Sequence, residues 1–316
     1  MAEKNENPIC LQERERNRDW LTALVPVLLI GFVYYGWWVL ALTVVGAGAY
    51  MAVAALIDRQ NLMFRQVECA LVTGLLVTFC LPSDAPLWTV ALACAVAALL
   101  TVGVDFGGRR FGLATAPVCP VLVGYLVVLW AFPAAVTAFE MPVQFVPLDG
   151  VSGATPLAAL WDGSARETTV RLLTGAHSSA IGEGSVLVLA LAALYLLLRH
   201  RLRLIAPGAM LATVSVLSWI VWGAPLYGLL TGGVVLAALL LADRAYAPAS
   251  YVGQAVVGVV AGGVVVLVRA TNGTDGSAIG VLVGCVLGCI YPALERLVIR
   301  HKGEKAEKSV KIENKC

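Results

Sequence analysis

Between Leu21 and Ile299 the chain is a succession of apolar runs, several of them as long as the ~20 residues an α-helix needs to cross a bilayer. This feature restricts the fold more than any motif does. Inside hydrocarbon, backbone polar groups must be satisfied within the protein, and a helix does so within its own segment. Composition agrees. Of 316 residues 59% are hydrophobic and 13% charged, where a soluble domain carries about 25% charged residues; mean hydropathy is +0.85. The expected fold is an all-α polytopic membrane protein embedded in a lipid bilayer. Residues 1–20 are polar and charged, so no cleavable signal peptide is expected.

Ten spans are expected. The stretch 21–57 is too long for one crossing and divides at Tyr34-Tyr35-Gly36-Trp37-Trp38, where aromatic rings favour the membrane interface. Span three covers about 67–81, span four 87–104 and span five 117–139. Spans six to ten cover about 184–198, 204–222, 225–242, 249–268 and 277–298. The interval 140–182 is polar, Gly-rich and too weakly apolar to cross, and 299–316 is a charged tail. The organisation that follows is an N-terminal tail 1–20, a first five-helix repeat 21–139, a loop 140–182, a second five-helix repeat 183–298 and the tail 299–316.

Charge orients these spans. Alternate connections collect 19 of the 22 Lys and Arg residues on one side, leaving Arg166, Arg171 and Arg269 on the other. The first side is expected to be cytoplasmic, with both termini inside and the loop 140–182 outside. Two short echoes suggest an internal repeat. Ala85-Pro86 recurs as Ala247-Pro248, and Val121-Leu122-Val123-Gly124 as Val281-Leu282-Val283-Gly284, at offsets of 162 and 160 residues. A repeat of five spans places its second copy upside down, the inverted plan of many transporters.

Little else in the spans points to chemistry. No ionisable residue is expected at mid-span; Glu68 comes nearest, close to the inner interface. A self-contained proton wire is therefore not expected. Cys285 and Cys289 share a helix face, but without further ligands they read as small polarizable residues packing between helices. There is no Walker loop and no G-x-G-x-x-G after a strand. The net charge of +2 gives no reason to expect a nucleic-acid partner.

The loop holds the informative stretch, Asp149-Gly150-Val151-Ser152-Gly153-Ala154-Thr155-Pro156-Leu157. One reading is purely structural: Thr155 is an N-cap, Pro156 the first helical residue, and a short helix follows. That leaves Asp149, Ser152 and the two glycines unexplained. The functional reading takes Thr155 as a hydroxyl nucleophile. Gly153 and Ala154 then leave room for an incoming phosphate, and the helix start offers N–H donors to its oxygens.

Asp149 to Thr155 resembles the covalent-flavin attachment motif Asp-Gly-x-(Ser/Thr)-Gly-Ala-Thr, in which the final threonine carries FMN through a phosphoester. Most of the remaining chain resembles the RnfD/NqrB family, the D subunits of Rnf-type ferredoxin:NAD oxidoreductases and, more distantly, the B subunits of sodium-pumping NADH:quinone reductases. The resemblance rests on Thr73-Gly74-Leu75-Leu76, Leu81-Pro82 and Pro86-Leu87-Trp88. It continues with Gly107-Gly108, Pro120 to Gly124, Gly182-Glu183-Gly184-Ser185, Asp243 with Ala247-Pro248, Gly253-Gln254, Asp275-Gly276 and Pro292. Cys119 and Cys285 stand where the family typically has asparagine, and Arg244 where a proline is common.

The resemblance implies a one-electron carrier in a multi-subunit translocase of a bacterial or archaeal cytoplasmic membrane, coupling ferredoxin–NAD electron transfer to Na⁺ or H⁺ movement. It implies FMN on Thr155, NADH and ferredoxin handled by other Rnf subunits, and a flavin transferase that uses FAD. Relatives in the quinone-reducing branch also hold riboflavin between helices. Asp149, Ser152, Gly153 and Ala154 belong to the attachment motif, and Glu183 is a candidate for flavin contact or ion handling. Glu183 also reads as an acid stabilising a helix N-terminus. His177 reads as solvated, and Asp105, Asp243 and Asp275 as span-end charges. The competing readings are a secondary transporter or channel of similar inverted-repeat plan, with Thr155 only a helix cap, and a scaffold subunit without a cofactor.

Overall fold

The computed structural model describes residues 8–57, 64–104, 118–139, 155–162, 169–175, 177–244, 246, 248–291 and 295. Each of the ten apolar stretches is helical, and among the described residues no strand forms; Leu202 and Asp243 make an isolated antiparallel bridge. Among the described residues four helices are long and apolar enough to cross a membrane, and shorter apolar helices accompany them.

Helix α1 runs from Pro8 to Tyr35 and α2 from Trp38 to Ile57. Gly36, at φ +75°, closes α1 by donating its N–H to the Phe32 carbonyl at 2.8 Å. The expected break at the aromatic belt is thus a left-handed glycine cap. The boundary expected at residue 20 is absent. The polar segment from Pro8 onward belongs to the same helix, and Trp20 is buried. Charged side chains cost a helix little while the stem is sequestered and the head stays wet, so a polar composition does not end one.

Helix α3 spans Phe64–Cys80 and α4 Leu87–Ala98, with a π-helical turn at Leu99–Gly103. Span five is shorter than expected. Helix α5 covers Pro120–Ala131, the backbone leaves helical geometry at Phe132 (φ −138°, ψ 58°), and a single turn, α6, covers Pro133–Val136. The cause is Pro133, whose ring disfavours helical backbone in the residue before it.

In the loop region, α7 spans Pro156–Asp162 and α8 Thr169–Thr174. A 3₁₀ turn at Ile181–Glu183 leads into α9, Val186–Leu198, and then α10, Ile205–Trp222. The last part of the loop packs into the protein rather than lying in solvent. Residues 177–182 are buried, and the Ile181 N–H donates to the Leu81 carbonyl at 3.1 Å, at the end of α3. A Cβ on Gly182 would lie 2.9 Å from the Phe79 carbonyl oxygen, so only glycine lets the chains meet this closely.

Span eight is two helices: α11, Pro225–Leu230, and α12, Val234–Leu241. Helix α13 follows at Tyr251–Asn272 and α14 at Ser277–Tyr291. Helix α2 packs chiefly on α3 and α4, while α10 packs on α11, α12 and α13; α1 and α9 lie against each other. Close contacts use small residues, as at Gly262, where a Cβ would meet the Met210 carbonyl at 2.7 Å.

Candidate functional site

The interruption of span eight builds the site. Thr231 is extended, and Gly232 and Gly233 are both left-handed, at φ +65° and +67°. Consecutive residues in this region cost ~1–2 kcal/mol each for any side chain with a Cβ, so the Gly-Gly pair is what permits the break. It leaves the C-terminal carbonyls of α11 and the N-terminal N–H groups of α12 without helical partners in the interior. Both need compensation.

Arg269, in the last turn of α13, supplies the first. Its Nη1 donates to the Gly228 carbonyl at 2.6 Å, and its Nη2 to the carbonyls of Thr231 and Gly232 at 2.7 and 3.1 Å. A cation at a helix C-terminus also complements its dipole. The same Nη2 meets Asp275 Oδ1 at 2.9 Å, with the arginine side chain 1% exposed and the aspartate 24%. Ser277, at the start of α14, donates its N–H to Asp275 Oδ1 at 3.3 Å and its hydroxyl to Oδ2. Glu183 supplies the second. Its carboxylate accepts backbone hydrogen bonds from Ala180 and Gly233 and senses both Asp275 and Arg269. A Cβ on Gly232 would lie 2.5 Å from Arg269 Nη2, and one on Gly233 would collide with Glu183 Oε1.

The result is two carboxylates and one guanidinium around a broken helix. Beside them is a cavity of about 20 Å³ lined by Cys80, Tyr125, Glu183, Gly233, Asp275 and Ser277, among others. By that measure it holds one or two waters. A polar pocket of this size suits a water, a proton or a small cation, and its surplus carboxylate favours positive charge.

Several expectations change here. Arg269, expected on the far side as a loop charge, is instead buried, in the last turn of its helix rather than at mid-span. Asp275 is not merely a span-end charge but the partner of that arginine. Glu183 does stabilise a helix N-terminus, though of α12 rather than of span six. His177 is not solvated: it is 3% exposed, with Nδ1 3.3 Å from the Arg171 carbonyl. Cys285 is buried but Cys289 is exposed, so only the first packs between helices. The signal in the sequence that marks the site is Thr231-Gly232-Gly233 within an apolar run, the interrupted segment typical of membrane binding sites.

Thr155 lies apart from this pocket. It is the N-cap of α7, its Oγ1 accepting from the Ala158 N–H at 3.3 Å, and it is partly exposed. Among the described residues the Thr155 hydroxyl makes this one hydrogen bond, with its oxygen as the acceptor, a role an ester oxygen can keep. The residue fits a phosphoester in that respect. Asp149, Ser152, Gly153 and Ala154 lie outside the described residues, as do Asp105, Gly107, Gly108 and Pro292. The structure does not bring Thr155 and Glu183 into contact; what joins them is α11, which packs on α7 and also reaches the Arg269 cluster.

Comparison with known proteins gives the relationship. The chain is 33% identical over 259 residues to the D subunit of the ion-translocating oxidoreductase complex of Ectopseudomonas mendocina, covering 73% of this chain and 74% of that protein. It is 30% identical over 287 residues to the D subunit of the Na(+)-translocating ferredoxin:NAD(+) oxidoreductase complex of Acetobacterium woodii, covering 87% and 86%. The D subunit of the proton-translocating ferredoxin:NAD(+) oxidoreductase complex of Clostridium ljungdahlii is 26% identical over 273 residues, covering 79% and 80%. With residues 12–302 matching its pattern, the chain belongs to the NQR2, RnfD, RnfE family.

Proposed function

We propose that this chain is the D-type membrane subunit of an ion-translocating ferredoxin:NAD oxidoreductase complex and that it carries FMN covalently on Thr155. The observation that carries the reading is the Asp149–Thr155 motif ending in a hydroxyl whose oxygen caps α7. Attachment is a phosphoryl transfer. The Thr155 Oγ–phosphorus bond forms, the pyrophosphate bond of FAD breaks, AMP leaves, and the threonine proton is lost to a base of the transferase. When bound, the flavin supplies one-electron redox chemistry; the chain fixes where that chemistry takes place. Its partners are the other subunits of the complex, the transferase and the bilayer. The loop lies on the outer side under the positive-inside orientation.

The Glu183–Arg269–Asp275 cluster is the chain's own contribution to ion coupling. Two carboxylates facing one guanidinium leave a surplus negative charge, and a buried site carries such a surplus only with a bound proton or cation. Relatives are named for both Na⁺ and H⁺ translocation, and a water-sized cavity between carboxylates accommodates either.

The test is a denaturing gel of the protein from cells that contain the transferase, viewed under ultraviolet light. Fluorescence that survives denaturation and vanishes in Thr155→Ala is expected. A dark wild-type band would leave Thr155 as a helix cap and favour a transporter, channel or scaffold role.

A further inference from the structure

Among the described residues, the buried side chain of α7 belongs to a cluster separate from the main core. Leu157 of α7, Leu172 of α8, and Ala224 and Tyr227 at α11 form a separate small buried cluster. The far end of α7 reaches a different element: the Trp161 ring lies 3.1–3.3 Å from where a Cβ on Gly273 would stand, at the C-cap of α13. Gly273 is four residues after Arg269 and two before Asp275. The seven residues after Thr155 therefore reach two elements of the arginine site: α11, through Leu157 in one cluster with Ala224 and Tyr227, and the Gly273 corner between Arg269 and Asp275, through Trp161.

Helix α11 is a short segment set off by turns at both ends. Left-handed glycines flank it, Gly223 (φ +65°) before and Gly232 and Gly233 after. Its inner end is held by hydrogen bonds from Arg269 to Gly228 and Thr231. Because Arg269 donates to carbonyls of this helix, a displacement of α11 would change the Arg269 geometry.

We propose that Trp161 is a positioning residue that couples Thr155 to the Glu183–Arg269–Asp275 cluster, with α11 as the lever between them. This rests on the proposed attachment of flavin to Thr155. A change of charge at the attached group shifts α7, the shift tilts α11 and moves the Gly273 corner, and both displacements alter how tightly Arg269 holds Asp275. By linkage the effect is reciprocal: cation or proton occupancy at the cluster shifts the flavin midpoint potential.

Two measurements test it in the assembled complex. In the first, the midpoint potential of the covalent flavin is titrated against Na⁺ and against pH. A dependence is expected in the wild type, lost in Trp161→Ala and restored in Trp161→Phe, with fluorescence of all three bands confirming attachment. An undiminished dependence in fluorescent Trp161→Ala, or none in the wild type, overturns the proposal. The second needs no flavin. In a chain carrying Thr155→Ala and Cys80 as its sole cysteine, alkylation of Cys80 by a membrane-permeant maleimide reports opening of the cavity. Trp161→Ala is expected to change its rate roughly fivefold or more, a typical allosteric coupling, and Trp161→Phe to return it. An unchanged rate overturns the mechanical link. A dark wild-type gel, by contrast, removes only the flavin and leaves this second result standing.

Discussion

At one end of the bundle Asp19 of α1 meets Arg199 at 3.0 Å and Arg201 at 2.5 Å, and Glu68 of α3 meets Arg18 at 2.9 Å. Near the break in span eight, Arg269 meets Asp275 at 2.9 Å and three backbone carbonyls besides. The contacts look alike on paper, but the media differ. Arg199 and Arg18 are more than half exposed, whereas Arg269 is almost wholly enclosed. A pair with an arginine as open as Arg18 is screened by water and gains ~0–1 kcal/mol, whereas Arg201 and Asp19, at 19% and 6% exposure, are screened less. An enclosed guanidinium has given up its hydration, so each partner it loses leaves an unmet cost. The first group ties α1 to α3 and to the α9–α10 connection. The second holds together a backbone that would otherwise be unsatisfied.

This contrast can be broken by substitution. Arg269→Met should have the largest effect, about 3–5 kcal/mol, the usual penalty for leaving a buried charge unpaired. It would appear as a much lower thermal midpoint of the detergent-solubilised protein, and Asp275→Asn added to it should recover part of the loss. A midpoint equal to wild type would mean that the break in span eight does not depend on its cation. Gly233→Ala comes next, at roughly 1–3 kcal/mol, from left-handed strain plus the collision with Glu183. Combining it with Glu183→Ala should relieve the collision alone, so full restoration would count against backbone strain. Asp19→Asn should cost about 1–3 kcal/mol, since two arginines lose a charged acceptor on a buried side chain. Arg18→Ala should cost less than about 1 kcal/mol and lose its effect in high salt. If Arg18→Ala proved as damaging as Arg269→Met, burial would not be what separates the two ends.

The same contrast explains what can be read without coordinates. The aromatic belt at Tyr34–Trp38 marks the α1–α2 break because a glycine and interfacial rings act locally. The helical nature of all ten apolar stretches follows from hydrophobicity alone. Charge patterning puts the N-terminal tail and the Arg199–Arg203 connection at one end, and the pairing of Asp19 with Arg199 and Arg201 agrees. Reading 177–182 as solvated misses its burial because Ser, His and Gly look alike in a solvated loop and in a buried non-helical segment. The difference lies in whether Phe79 and Leu81 are there to receive them. Arg269 escapes a linear reading for a related reason: composition assigns an arginine to water unless its partners are known, and these are backbone carbonyls 37 to 41 residues away in the chain.

The Thr155 cap, in contrast, depends on neighbouring residues and is visible in the chain itself. Residue order alone is enough to make this an all-α membrane protein, to locate its apolar helices and to single out one hydroxyl as the attachment candidate, because hydropathy, glycine breaks and N-caps act over one or two helical turns. It takes the packed bundle to bring Glu183, Arg269 and Asp275 into one cluster and to set α11 between that cluster and Thr155. Those facts depend on burial and on partners distant in sequence, and the cost of an unpaired charge exists only once the bundle has excluded water around it.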